Sequence, residues 1–205
     1  SGCGNQTAQA DAALKIHVRL ELTTGALAGP VISNGRLHDR SSPLAHEQLP
    51  AGSLRLADLG YFSLPSLRTL TAQDVYWVSR IQANTVVFDS TGQRRHLAEL
   101  LSTLPATADV PVTVGAAERL PCRLVAERVP DDVAAERRRR MNAEGQRRGQ
   151  AVSAERLRLA AWTIYITNAP QDLLSLAEVM VLGRVRWQIE LLIKLWKSHG
   201  RIDES

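Results

Sequence analysis

The chain has little cysteine, no long apolar run and only a small excess of one charge. Cys3 and Cys122 are its only cysteines, far apart, with no CxxC pair and no histidine at metal-ligand spacing. That argues against both a disulfide framework and a zinc site. No stretch approaches the twenty or so apolar residues of a membrane span, and no charged-then-apolar N-terminal segment resembles a secretory signal. The net charge is +4 and the pI about 9.5, which favours a polyanionic partner only if the cations gather on one surface. What is there suits a folded chain. Apolar residues make up 44% of 205, enough for one domain or for one domain carrying a large insertion.

The first part reads as strands. From 12 to 22, Leu14, Ile16, Val18, Leu20 and Leu22 alternate with Lys15, His17, Arg19 and Glu21, the pattern of a half-buried strand. Thr23, Thr24 and Gly25 supply a turn, 27–33 a returning strand, and 42–48 a short polar helix. Farther on, Leu54, Leu56 and Asp58 share one strand face and Gly60 breaks the strand. An acid at a strand terminus stands where open α/β sheets keep reactive groups; a turn-starting Asp would look the same. A helix over 64–71 leads to a strand over 75–81, with Arg80 near its end. Strand-like runs follow at 85–89, 110–114, 122–128 and 162–167. Between the last two, 131–159 reads as a basic helical stretch containing Arg137 to Arg140, Arg147 and Arg148. Its interleaved Glu136 and Glu144 also suit a solvated helix face. Trp162 opens the last strand, and Pro170 suits the first turn of the helices beyond it.

The last helix, 183–198, reads GRVRWQIELLIKLWKS. Leu182, Val185, Ile189, Leu192, Ile193 and Trp196 form an apolar stripe. Arg186, Glu190 and Lys197 fall on a narrow line beside it, because steps of four and eleven residues nearly complete whole turns. An i,i+4 pair on a solvated face is one account of that line. The line also resembles the Y-x2-R-x3-E-x6-K signature of the insertion-sequence-four family of bacterial DDE transposases, with Gly183 where the signature has tyrosine. Asp58-Leu59-Gly60-Tyr61 resembles the same family's D-x-G-[YF] motif. The two motifs stand in the family's order.

The resemblance implies an α/β fold of the ribonuclease-H-like kind with a β-rich subdomain inserted before the Glu-bearing helix. Residues 1–82 would be the N-terminal part of the core, 83–169 the insertion with its basic helical stretch, and 170–205 the C-terminal helices of the core. Asp58 and Glu190 would be catalytic acids holding Mg2+ (or Mn2+). Arg186, Lys197 and Arg80 would contact DNA phosphates. Trp162 would either stack on a base flipped out near the cut or pack in the core. The implied activity is DNA cleavage and strand transfer in cut-and-paste transposition of an insertion sequence. Its partners would be double-stranded transposon ends and target DNA, met by a homodimer in the bacterial cytoplasm near the nucleoid, with no membrane partner.

The family's first catalytic Asp belongs on a strand upstream of Gly2-Cys3-Gly4. The chain is therefore expected to be part of a transposase or the product of a decayed element, lacking that strand. Asp11 stands in the wrong context to substitute. Two-metal phosphoryl transfer draws three acids together, so these residues alone are expected not to cut DNA. Two other accounts share some of the features. A different ribonuclease-H-like nuclease would need the acids but neither the insertion nor the R-x3-E-x6-K line. A catalytically dead DNA-binding remnant would keep everything.

Overall fold

The computed structural model describes residues 14–21, 24–34, 44, 48–57 and 59–185, and it divides into two compact units, Ser1–Gln48 and Leu49–Ser205. In the first unit the alternating pattern forms β1 (Leu14–Leu20), paired antiparallel with β2 (Leu27–Asn34). The register slips between His17 and Arg19. Gly29 sits at this bulge with φ +106, where a Cβ would lie 2.8 Å from the His17 carbonyl; only glycine fits so close an approach. The His17 ring, on the polar side of the pattern, is buried and shares a 2.8 Å hydrogen bond between Nε2 and Ser33 Oγ. The expected helix over 42–48 lies largely outside the described residues.

The second unit carries a seven-stranded mixed sheet in the order β3-β4-β9-β8-β7-β5-β6. Its strands are β3 (Leu54–Ala57), β4 (Tyr76–Ser79), β5 (Val87–Phe88), β6 (Arg94–Arg95), β7 (Thr107–Val114), β8 (Leu120–Arg128) and β9 (Trp162–Thr167). Only β3 and β4 run parallel; every other neighbouring pair is antiparallel. The helix α1 (Leu64–Ala72) makes the parallel crossover, started by a Ser63 hydroxyl that accepts from the Ser66 N–H and by proline in its first turn. Leu67 and Leu70 are the residues α1 buries.

Alternation along the strands separates two cores. Trp77, Val112, Leu124, Ala126 and Ile166 pack with α1 and with Leu97, Leu100 and Leu101 of α2 (Leu97–Ser102). On the opposite face, Val78, Val125 and Tyr165 meet Ala169, Leu174, Val179 and Met180. The architecture is mixed α/β, as the sequence implied, with a mostly antiparallel sheet.

Three local expectations need correction. The expected run at 85–89 holds β5, but its hairpin partner β6 and α2 were not foreseen. The basic stretch is two helices, α3 (Asp131–Arg147) and α4 (Ala154–Leu159), parted where Gly149 turns to φ +64 and the Gln150 N–H closes back on the Gly145 carbonyl at 2.8 Å. Pro170 does not start a helix. Its carbonyl accepts from the N–H groups of Leu173 and Leu174 in a turn, and helix begins at 176. A reciprocal cap explains the delay: the Ser175 N–H donates to Glu178 Oε2 at 2.8 Å, and the Glu178 N–H donates to Ser175 Oγ at 3.4 Å. The same serine holds the Glu178 carboxyl below its ordinary pKa.

Candidate functional site

The parallel pair defines one end of the sheet. Ala57 is in register with Ser79, so β3 and β4 finish at the same level. The crevice outside the carboxyl ends of parallel strands is the usual ligand position in open sheets. In the sequence, Asp58 follows Ala57 and Arg80 follows Ser79. Asp58, Arg186, Glu190 and Lys197 lie outside the described residues. Arg80 is described. It is exposed, and among the described residues its guanidinium has no carboxylate partner and no acceptor.

Beyond that level β4 leaves β9. The two strands pair only at Val78–Thr167 and Ser79–Ile166, whereas β8 follows β9 from Thr167 to Trp162. Among the described strands none pairs with β9 over 162–165 on the β4 side, and Arg137 of α3 reaches that edge. Its Nη1 donates to the carbonyls of Trp162 at 3.1 Å and Ala160 at 3.4 Å, and its Nη2 donates to Thr163 Oγ1 at 3.3 Å. Burial, and after it the neighbouring charge of Arg80, lowers the pKa of Arg137, though a guanidinium stays protonated at neutral pH. Trp162 itself is half-buried against the larger core.

Tyr165, on the same strand, is 8% exposed. A Cβ built on Gly183 would lie 2.2 Å from Tyr165 Cζ and 2.3 Å from its hydroxyl oxygen. Gly183, inside the helix that runs over 176–185, is thus glycine because the ring from the neighbouring strand fills its side-chain space. This gives a physical reason for the one departure from the helix signature. The signal in the sequence was the helical glycine itself, which costs stability unless packing requires it.

The approach to this helix is held by a residue the sequence did not single out. Arg123 of β8 forms a two-pronged pair with Asp109 of β7, Nε to Oδ1 at 2.9 Å and Nη2 to Oδ2. Its Nη1 donates to the carbonyls of Ala169 at 2.7 Å and Leu174 at 2.9 Å. One side chain therefore fixes the segment between β9 and the helix. Cys122 beside it is buried, which pushes its thiol up to about 12; such a thiol is neither nucleophile nor metal ligand at neutral pH. Among the described residues no group of three or more His, Cys, Asp or Glu could hold a metal ion, and no helix is long and apolar enough to cross a membrane.

Comparison with known proteins points one way. The model of a family described as "Transposase DDE domain" matches residues 2–205. The chain is similar to the transposase for insertion sequence element IS231E of Bacillus thuringiensis subsp. finitimus, with 26% identity over 213 residues, 94% of this chain and 45% of that protein. The transposase for IS1151 of Clostridium perfringens is 23% identical over 211 residues, 93% of this chain and 45% of its own length. The putative transposase InsL for IS186A of Escherichia coli (strain K12) is 29% identical over 163 residues, 75% and 44% of the two chains. The chain thus spans less than half the length of these curated relatives. No solved structure matches it.

Proposed function

Because the chain belongs to the transposase DDE domain family, we propose that it is part of a transposase that cuts DNA at the ends of an insertion sequence and joins them to target DNA. The observation that carries this reading is the parallel register of β3 and β4, which brings the chain to a common level immediately before Asp58 and Arg80. The antiparallel register of β4 with β9 makes 80 and 165 the next opposed positions after Ser79 and Ile166. A β3 continued in this register would set Asp58 in one row with Arg80 and Tyr165, roughly 10 Å across three strands at about 4.8 Å per strand. Gly183 lies against Tyr165 at the inner end of that row, and a helix continued past 185 would carry Glu190 about two turns beyond it, roughly 10 Å. We propose that Asp58 and Glu190 meet beside this row.

We assign both acids to metal binding. The donor set is hard carboxylate oxygen, which suits Mg2+ or Mn2+ rather than a soft metal. When bound, the ions would supply charge neutralisation at the attacking and leaving oxygens of an in-line displacement at phosphorus. Arg186, Lys197 and Arg80 take DNA phosphates, and Trp162 takes a flipped base on the part of its indole left exposed. In this reading 1–82 and 170–205 carry the acids, and 83–169 are an insertion whose strands extend the core sheet from β4 outward. The partners are double-stranded transposon ends and target DNA, engaged by a homodimer in the bacterial cytoplasm at the nucleoid.

The test is Mn2+ binding to the 205-residue chain, followed by paramagnetic resonance of the free ion. Asp58→Asn and Glu190→Gln should each weaken it about tenfold or more, since both acids hold the same ion. Affinity indifferent to either change would sink the assignment.

A further inference from the structure

We infer that Arg80, Arg137 and Tyr165 form a subsite that grips one phosphodiester of a DNA strand crossing the open edge of β9. The inference rests on the proposed DNA function and adds to it a place on the protein that the family motifs do not mark. Three observations converge there.

The first is position. Arg80 follows the last β4 residue paired with β9, and Tyr165 is the next opposed position in that register. Arg137 is anchored to the same open edge through Trp162 and Thr163. All three surround the gap left where β4 departs.

The second is unused donors. A guanidinium carries five N–H groups. Arg137 directs its contacts through Nη1 and Nη2, which leaves its Nε–H and one Nη2–H without an acceptor among the described residues. Arg80 has no acceptor among them at all. Tyr165 is a buried residue, yet its hydroxyl makes no hydrogen bond with the described residues. Buried hydroxyls are ordinarily bonded, and leaving one without a partner is unfavourable.

The third is charge. The guanidinium of Arg80 is close enough to Arg137 to lower its pKa, and among the described residues neither is paired with an acid. Among the described acids, Glu127 stands opposite Thr163 and is engaged by Arg184 at 3.5 Å. Two like charges with spare donors and a neutral hydroxyl donor ask for an anion with several acceptor oxygens. A phosphodiester has two non-bridging oxygens, can take a guanidinium in a forked contact and can accept from the phenol as well. Gly183 completes the arrangement: its missing side chain gives the tyrosine ring room to keep its hydroxyl at this spot.

The experiment is fluorescence anisotropy of the 205-residue chain with a labelled 20-base-pair duplex across a salt series. Arg80→Gln and Arg137→Gln should each weaken binding about tenfold and lower the salt slope by about one unit. Tyr165→Phe, which keeps the ring and removes only the hydroxyl, should weaken binding about threefold and leave the slope unchanged, because no charge is lost. The expected non-additivity of Arg80→Gln with Tyr165→Phe marks a shared ligand. Should Arg137→Gln fail to fold, exposed Arg80 and the conservative phenylalanine still decide the matter. Wild-type binding that ignores both of those changes overturns the subsite and leaves the DNA reading standing. A wild-type chain that does not bind the duplex overturns both. Calorimetry with inorganic phosphate separates the sources: phosphate binding lost in Arg80→Gln, with no duplex binding, would replace DNA by a free anion and overturn the proposal.

Discussion

The antiparallel block of β7, β8 and β9 and the parallel pair of β3 and β4 share one sheet, but they treat their arginines differently. In the block, Arg123 is matched by Asp109 on the adjacent strand and by two carbonyls of the segment beyond β9. At the open end, Arg80 has no partner among the described residues, and Arg137 has donors left over after anchoring itself to β9. Both arrangements follow from strand register. Pairing Asp109 with Val125 puts it two positions from the Pro111–Arg123 pair, on the same face as Arg123. Where β4 ends, none of the described residues brings Arg80 a counter-charge. A charge used for architecture has its partner on the next strand, and a charge kept for a ligand does not.

The sharpest way to break this contrast is Arg123→Ala. It would strand Asp109, partly buried, without a counter-charge and release the carbonyls of Ala169 and Leu174. Breaking such a pair costs about 3–5 kcal/mol, to be read from the urea midpoint of unfolding. A loss below about 1 kcal/mol would mean that the two ends of the sheet do not differ in this way. Next in size is Gly183→Ala. The new methyl would overlap the Tyr165 ring, and overpacking of this kind costs about 1–3 kcal/mol. Adding Tyr165→Phe should not relieve it, because the ring carbon remains, whereas Tyr165→Ala should. Equal stabilities of Gly183→Ala in the phenylalanine and alanine backgrounds would count against the socket.

The smallest effect belongs to the outer edge of the antiparallel block. Asp89 accepts from the N–H and hydroxyl of Thr91, the N–H of Gln93 and Nε of Arg95. The Thr91 hydroxyl first, then Arg95, hold its pKa down to about 2 against an ordinary 3.8. The folded value lies below the unfolded one, so this stabilisation is complete above about pH 4 and disappears as pH falls towards about 2. Thermal unfolding followed between those limits should show a shallower decline in Asp89→Asn than in the parent chain. Parallel declines would show that the carboxylate adds nothing to the hairpin.

Much of the second unit could be read in the sequence because its strands alternate. Leu54 and Leu56, Trp77 and Val78, and the run from Trp162 to Thr167 announce β3, β4 and β9 by the pleat alone. The β5–β6 hairpin could not be read that way. Its strands have two residues each, too few for a period, and what specifies the turn is the set of bonds to the Asp89 carboxylate. Pro170 misled because proline fits a first helical turn, while the stronger signal, Ser175 with Glu178 three residues on, went unused. At the site, the strands leading to Asp58 and Arg80 were legible from the apolar pattern, but their ends were read late, at Gly60 and 81 rather than at Ala57 and Ser79. The anchoring of Arg137 and the Tyr165–Gly183 contact were not, because each joins residues that only the tertiary fold brings together.

The distance along the chain between β4 and β9 has a consequence for how the molecule is made. During synthesis β3, α1 and β4 appear in one short run, Leu54–Ser79, while β9 does not appear until Trp162–Thr167. Closing so long a loop loses chain entropy before any pairing compensates for it. Until β9 arrives, one edge of β4 stays unpaired and able to adhere to other strands. The crevice at the strand ends does not exist in that interval, since one of its walls is still unmade. It comes into being only when the last strand docks on the block already formed by β7 and β8.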